Sequence, residues 1–235
     1  MLDLIGAIAG MSAVGICLVA FTQALPGTPM RRLGVAAIGG AWVGLASGLG
    51  AAGKLAFSPD NPVPLVGVLF AVPLLVVGAL ALTSRRVRSA LMGIPMPVLV
   101  GVNSLRVLGV LFLLLAAAGR LSGPFPFFAG LGDMITGAWA IPLAVSLARS
   151  GRPSSAVVRR WNLFGTLDLF VAVSLGLTSA NGSPLQVVHA GVGSLAMQYL
   201  PYCLVPTVLV PFFLITHAIV AAQLAASRAP VLSHA

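Results

Sequence analysis

Three charged residues interrupt long apolar stretches of the sequence, where ionisable side chains are rare. Arg106, Asp133 and Asp168 each lie in a stretch made mostly of apolar residues. A charged side chain at the middle of a bilayer costs about 2.5–3.5 kcal/mol and usually faces a charged partner or a watery cavity. We therefore expect these three side chains to meet in one polar centre.

The arginine and the two aspartates are compatible with three kinds of chemistry. One guanidinium neutralises only one of two carboxylates, so we expect one aspartate to hold a proton. A carboxyl group that takes up and releases a proton as access alternates between two sides is the basis of proton-coupled transport. In the second interpretation, Arg106 binds an anionic substrate that the aspartates orient. In the third, a permanent ion pair only pins helices together.

Neighbouring polar residues extend the predicted polar centre. Asn103 and Thr136 each lie three residues from a charged member, which places them on the same helical face. His217 lies in the last apolar stretch. Asn162 begins a span at its inner end and is predicted to face away from Asp168. The predicted substrate- or ion-binding residues are Arg106, Asp133, Asp168, Asn103, Thr136 and His217.

Other site chemistry has little support in the sequence. The two cysteines, Cys17 and Cys203, stand alone in apolar segments, and the three histidines are far apart along the chain. This pattern predicts neither a metal site nor a cofactor, and it does not identify a catalytic residue. The formal charge of +9 comes from short arginine clusters between apolar runs, which is typical of membrane orientation and not of nucleic-acid binding.

The composition requires membrane-spanning helices to carry these residues. The chain of 235 residues is 59% hydrophobic and 7% charged, with a mean hydropathy of +1.07, so its charges are too few to coat a soluble domain. Crossing about 30 Å of hydrocarbon takes roughly 20 helical residues. We predict an all-α polytopic membrane protein with about seven spans, near residues 4–25, 34–56, 63–83, 96–118, 125–148, 161–180 and 201–225.

Basic residues in the loops predict the orientation, because lysine and arginine accumulate on the cytoplasmic side. Ten fall in the odd-numbered loops and the tail, and two, Lys54 and Arg120, fall in the opposite loops. This places the N-terminus outside and the C-terminus inside. The ten inner residues are Arg31, Arg32, Arg85, Arg86, Arg88, Arg149, Arg152, Arg159, Arg160 and Arg228.

Further features complete the predicted organisation. Residues 1–228 form a single bundle and 229–235 a cytoplasmic tail, with a short external interfacial or re-entrant helix at 184–200. Gly40, Gly44 and Gly48 form a flat face, interpreted as tight helix packing and as a possible homo-oligomer contact. Twelve arginines against one lysine indicate a GC-rich bacterial genome and hence a bacterial inner membrane.

A short motif provides the alternative function. Residues 130–133 (Gly-Leu-Gly-Asp) resemble the GxGD motif of intramembrane aspartyl proteases, the presenilin and prepilin peptidase group, and Leu-Val-Pro at 204–206 resembles the Pro-Ala-Leu stretch of presenilins. The resemblance implies that Asp133 and Asp168 would activate water by sharing a proton. Here the GxGD aspartate precedes its partner along the chain, whereas in that family it follows.

We rank a small transporter or permease, proton- or ion-coupled, as the first hypothesis. Its partners would be the lipid bilayer and a small-molecule or ion substrate. A membrane-embedded hydrolase or lipid-modifying enzyme predicts a close carboxylate pair with Arg106 turned away. A non-catalytic scaffold predicts a fully paired network that no cavity reaches. Whether the protein is an enzyme stays open at this point, with transport favoured.

Overall fold

The computed structural model describes residues 1–58, 65–150 and 155–227, and this part of the chain is helical. Seven of its helical segments are long and apolar enough to cross a membrane, which confirms the predicted number. The helices are α1 (Leu2–Ala24), α2 (Pro29–Ala51), α3 (Leu65–Thr83), α4 (Arg85–Met92), α5 (Met96–Gly101), α6 (Val110–Ala117), α7 (Phe125–Ser150), α8 (Ser155–Thr178) and α9 (Val210–Ala226).

Two of the spans are not continuous α-helices. A 3₁₀ stretch, Val102–Gly109, joins α5 to α6 within the span Met96–Ala117. A π-helical turn, Val205–Leu209, precedes α9 within the span Val205–Ala226. The predicted boundaries of the seven spans lie within six residues of the observed ones. The sequence pattern did not predict the 3₁₀ stretch, whereas the prolines at 201, 206 and 211 predict a kink in the last span.

Local signals fix where helices begin on one side of the bundle. Thr28 precedes α2 and its hydroxyl accepts a hydrogen bond from the backbone N–H of Arg31, with Pro29 in the first turn. Ser84 caps α4 in the same way through the N–H of Val87. The predicted loop between the third and fourth spans is therefore a short amphipathic helix that carries three of the basic residues.

The basic loops gather at one end of the bundle, here called the basic end. The Arg31 guanidinium donates to the carbonyl of Arg86 at 3.4 Å, and Gln223 near the end of α9 donates to the carbonyl of Ile94 at 2.8 Å. The alternation of described loops between two ends thus agrees with the predicted topology. Which end faces the cytoplasm stays a prediction, and Arg152, Arg228 and the tail 229–235 lie outside the described residues.

The opposite end, called the far end, joins the start of α1 to two later segments. The Arg120 guanidinium pairs with Asp3 at 2.5 Å, and the hydroxyl of Tyr202 donates to the carbonyl of Leu2 at 2.9 Å. The backbone N–H of Phe57 donates to the side-chain oxygen of Gln198 at 2.9 Å. The far end is therefore closed by contacts between segments distant in sequence.

Residues 184–200 do not form the predicted helix. The segment is irregular apart from one 3₁₀ turn, Leu195–Gln198. Gly191 and Gly193 adopt φ of +58° and +55°, a left-handed conformation that interrupts a right-handed helix. Ser194 binds back onto the end of α8, its N–H donating to the carbonyl of Ser179 and its hydroxyl to that of Gly176. The segment is a folded loop at the far end.

Helix α7 packs closely against the 3₁₀ stretch because glycines face each other there. A Cβ on Gly109 would lie 2.8 Å from the carbonyl oxygen of Gly130, and one on Gly137 would lie 2.6 Å from the backbone nitrogen of Val107. Small residues let helix backbones approach and gain van der Waals contact. This close approach brings the side chains of the 3₁₀ stretch within reach of α7 and α8.

The flat glycine face of α2 does not pack within the chain. No described residue lies within 4 Å of a Cβ added at Gly40, Gly44 or Gly48, whereas a Cβ at Gly39 would lie 2.5 Å from Leu18 on α1. The expected tight packing of the three glycines inside this chain is therefore wrong, because α1 contacts the neighbouring face. A contact with a second copy through this face stays a prediction.

A side chain of another helix compensates for one proline of the last span. Pro211 has no N–H to donate to the carbonyl of Thr207, the acceptor four residues earlier. The indole Nε1 of Trp42 on α2 donates to that carbonyl at 3.0 Å. A polar backbone group at membrane depth must be satisfied from within the protein, so this bond anchors the π-helical turn to α2.

Candidate functional site

Arg106 is the centre of a buried polar cluster. Its residue surface is 2% exposed, and its Nε donates to Oδ1 of Asp133 at 2.6 Å, while Nη2 donates to Oδ2 of Asp168. Its Nη1 donates to the backbone carbonyl of Gly165 at 3.2 Å. The structure therefore brings the three predicted charged residues together, with both carboxylates on one guanidinium.

His217 on α9 extends the cluster toward the basic end. Its Nε2 lies 3.1 Å from Nη1 of Arg106, and its Nδ1 lies 2.9 Å from Oδ1 of Asn162. An arginine nitrogen can only donate, so Nε2 accepts and the proton of a neutral imidazole is on Nδ1, which donates to Asn162. The ring also packs 4.8 Å from the ring of Trp161. Its two neighbours thus fix one tautomer of the histidine.

The charges of the cluster do not cancel. Arg106 contributes one positive charge, Asp133 and Asp168 contribute two negative charges when both are ionised, and the neutral His217 contributes none. One excess negative charge inside a membrane is costly. The arrangement therefore favours the uptake of one further positive charge, either a proton or a cation.

The predicted polar neighbours lie close by but are not bonded to Arg106. The amide of Asn103 donates to the carbonyl of Leu99 at 2.8 Å and to the hydroxyl of Thr216 at 3.0 Å. Thr136 contacts the cluster's edge, where a Cβ on Gly165 would lie 2.7 Å from its methyl group. Oδ1 of Asn103 and Oγ1 of Thr136 are buried without a hydrogen-bond partner in the described part of the chain.

The local conformation explains why Asn103 and Arg106 face the same way. A 3₁₀ helix has three residues per turn, so side chains three apart eclipse each other. A 3₁₀ stretch within a longer helix often marks a functional hinge or local strain. The segment that carries the central arginine is thus also the least regular part of its span.

The glycines of residues 130–133 have packing roles. Gly130 allows the backbone of the 3₁₀ stretch to approach at Gly109, as described above. Gly132 faces α8, where a Cβ would lie 1.6 Å from Oδ1 of Asp168. Any larger residue would displace this carboxylate. The Gly-x-Gly-Asp sequence therefore places two helix contacts and one carboxylate on a single turn of α7.

Two cavities reach the cluster from the far end. One of about 110 Å³ extends from Asp133 past Ala129 and Phe125 to Met197 and Gln198. Its wall is mostly apolar, and the side chain of Asp133 is 13% exposed. The cluster is therefore not sealed off on this side.

The second cavity, about 50 Å³, is bordered by Arg106 and Asp133 in the interior and by Gly6 and Tyr202 near the far end. It lies beneath the contacts that tie the start of α1 to Arg120 and Tyr202.

Three residues of α8 complete the site: Trp161, Asn162 and Gly165. The sequence did not single out Trp161 or Gly165, and it argued against Asn162. Asn162 was left out of the predicted site, and it joins the cluster through His217 on α9 and not through Asp168. Residues 162, 165 and 168 follow the three-residue ridge of α8, along which successive side chains are neighbours. That spacing was the available signal.

Comparison with known proteins gives a family match. The family model described as Domain of unknown function (DUF8737) matches residues 63–225, a range that contains every cluster residue named above and leaves α1 and α2 outside. No curated protein and no solved structure matches the chain.

Proposed function

The chain belongs to the DUF8737 family, and we propose that it is a small multi-pass transporter or permease coupled to protons or another cation. We place it in the inner membrane of a bacterium, with the basic end in the cytoplasm and the far end outside. The binding residues are Arg106, Asp133 and Asp168, lined by Asn103, Thr136 and His217.

The observation that carries this proposal is a buried cluster with one excess negative charge that a cavity reaches. A permanent structural ion pair is normally balanced and closed to solvent, since burying an unpaired charge is destabilising. Here Asp133 borders the 110 Å³ cavity that leads to the far end. A proton or a cation arriving along that route would neutralise the cluster.

The two interrupted spans support a cycle of alternating access. Secondary transporters commonly bind their cargo near the bilayer midplane beside discontinuous helices. The 3₁₀ stretch that carries Arg106 interrupts one span, and the π-helical turn before α9 begins the span that carries His217. A shift of these segments would transfer access from the far end to the basic end.

The pairing of Arg106 favours a cation or proton over an anion. Each of its three nitrogens already has a partner among Asp133, Asp168, Gly165 and His217. An anionic substrate would have to displace a carboxylate from the guanidinium. An arriving cation requires no such exchange and is attracted by the excess negative charge.

The same geometry weighs against an aspartyl hydrolase. Two carboxylates that activate water share a proton, as in the aspartic proteases. Here each carboxylate accepts from the Arg106 guanidinium, and no hydrogen bond joins the two carboxylates to each other among the described residues. The packing roles of Gly130 and Gly132 account for the GxGD-like sequence without catalysis.

Flux through purified protein in proteoliposomes tests the proposal. We expect uptake of at least one compound from a panel of small amines and anions, driven by a pH gradient, and its loss in Asp168→Asn. Arg31→Gln is the control, because this exposed arginine at the basic end lies outside the cluster and borders neither far-end cavity. Flux that is the same in Asp168→Asn as in the unmodified protein would remove this residue from the mechanism.

A further inference from the structure

A lateral groove between α7 and α8 reaches the cluster from the lipid-facing surface. It has a volume of about 470 Å³ and is separate from the far-end cavities. Its walls are two matched apolar stripes, Phe128, Leu131 and Ile135 on α7 and Phe164, Leu167 and Val171 on α8. All six side chains are exposed, so nothing in the described part of the chain covers the groove.

A carboxylate forms part of the groove's floor. Gly132 and Asp168 both border the groove, and Oδ1 of Asp168 lies over Gly132 while Oδ2 accepts from Arg106. The side chain of Asp168 is 8% exposed. A carboxylate that touches the hydrocarbon layer is costly unless it is neutralised. Because Arg106 is shared between Asp168 and Asp133, the floor of the groove favours a further positive charge, whereas its walls favour an apolar ligand.

The groove's chemistry specifies one class of ligand. Its apolar walls match an alkyl or aryl group, and its carboxylate floor matches a single positive charge. The first and last residues of each wall are seven positions apart on the helix, which gives a groove about 10 Å long. Phe164 and Phe128 would also offer aromatic faces to a cation. An uncharged lipid chain would fill the walls but leave the excess negative charge of the cluster in place.

We propose that this groove binds an amphiphilic monocation, such as an alkylammonium, which enters from the bilayer and pairs with Asp168. This inference rests on the proposed function, for which it names the cargo class. The cluster has one excess negative charge, so a bound proton and a bound ammonium are alternatives. Loading the cation releases the proton, no bond other than the O–H of the carboxylic acid is broken, and the net charge of the cluster stays zero.

The two aspartates then have different routes. Asp133 borders the cavity toward the far end, and Asp168 borders the lateral groove. A proton leaving through the cavity and a cation arriving through the groove need not pass each other. Exchange of the two is therefore compatible with the observed access to the cluster.

Photolabelling of the whole protein in lipid nanodiscs tests the proposal. The probe is a dodecylammonium that carries a diazirine, and the comparison probe is the corresponding uncharged dodecanol. We expect the ammonium probe to label peptides of α7 and α8 that border the groove, with competition by dodecylammonium and not by dodecanol. Equal labelling by both probes would overturn the proposal, since it would show only contact with lipid.

Matched tryptophan variants control for folding and for general lipid exposure. Leu167→Trp fills the groove, and Leu163→Trp places the same side chain on α8 outside it; the two leucines are 54% and 58% exposed. We expect labelling to fall about tenfold in Leu167→Trp, the change that a tenfold weaker affinity gives, and to persist in Leu163→Trp. Equal labelling in both variants would contradict a groove site, as would crosslinks showing that a second copy fills it.

Binding and flux together separate this inference from the proposed function. Cation binding at the groove without any flux in proteoliposomes would overturn the transport function and keep the site. Flux that depends on Asp168 but is unaffected by Leu167→Trp, with no labelling of the groove, would overturn the amphiphilic cargo and keep transport.

Discussion

Arg106 forms hydrogen bonds to four groups on three helices, so the arrangement of the whole site depends on this one side chain. Its nitrogens bind carboxylates on α7 and α8, a backbone carbonyl of α8 and the histidine of α9. Removing one partner of a buried ion pair leaves an uncompensated charge, which costs far more than losing an exposed pair. The stability of the bundle and the electrostatics of the site therefore depend on the same side chain.

Arg106→Gln should lower the free energy of unfolding by about 3–5 kcal/mol, because two carboxylates lose their buried partner. Thermal unfolding in detergent measures the effect. The matched control is Arg120→Gln, whose partner Asp3 is exposed and whose loss should cost about 0–1 kcal/mol. Adding Asp168→Asn to Arg106→Gln should recover part of the loss. Equal effects of the two arginine variants would contradict the buried cluster.

Gly132→Ala should destabilise the protein by about 1–3 kcal/mol, since its Cβ would overlap the carboxylate of Asp168. Gly44→Ala on α2 adds the same methyl group where no described residue is within 4 Å. It should be neutral or stabilise by up to about 1 kcal/mol through helix propensity. A neutral Gly132→Ala in the same unfolding assay would show that α7 and α8 do not approach as described.

At this scale, the sequence predicted the charged residues better than their surroundings. The cost of burying charge singled out Arg106, Asp133 and Asp168 from their local context alone. The position of Asn162 depends on which helix lies opposite, and this is a property of the packing that no single helix encodes. Its partner His217 is 55 residues away along the chain.

At the scale of elements, the two interrupted spans separate predictable from unpredictable structure. Hydropathy and length indicate where a span begins and ends, because the bilayer imposes both. The 3₁₀ stretch arises where Gly109 and Gly137 bring α7 against the backbone, and it depends on the partner helix. The helix predicted at 184–200 rested on the segment's short length and its polar residues, which do not distinguish a helix from a loop, whereas Gly191 and Gly193 set the observed conformation.

Trp42→Phe should cost about 1–2 kcal/mol in unfolding free energy, because the carbonyl of Thr207 loses its indole donor at membrane depth. The same substitution in a Pro211→Ala background provides the control. Alanine at 211 supplies the N–H that proline lacks, so the cost of losing the indole should shrink. An equal cost in both backgrounds would show that the indole contributes only packing.

At the scale of the whole molecule, both cavities that border Arg106 or Asp133 extend toward the far end. The contacts of Arg120 with Asp3 and of Tyr202 with Leu2 lie over that route. The grouping of basic loops at the other end agrees with the predicted topology. The polar centre of the bundle thus borders cavities that extend toward one end and not the other, as the proposed alternating-access cycle requires of one of its states.

The most direct measurement is the accessibility of a cysteine placed beside Asp133. Ala129→Cys lines the far-end cavity one turn from Asp133, and Ala140→Cys on the same helix is equally buried but lies in the apolar core nearer the basic end. Both would be made with Cys17 and Cys203 replaced by alanine. A membrane-impermeant cationic methanethiosulfonate would be added to oriented vesicles from each side.

We predict that Ala129→Cys reacts from the far end at least about tenfold faster than Ala140→Cys, a difference of roughly 1.4 kcal/mol in barrier. Prior addition of a permeant organic cation should slow the reaction, because both compete for the excess negative charge. Equal, slow reaction of the two cysteines from both sides would contradict access to the cluster from the far end. It would show that the Arg106 cluster is an ion-pair network closed to solvent.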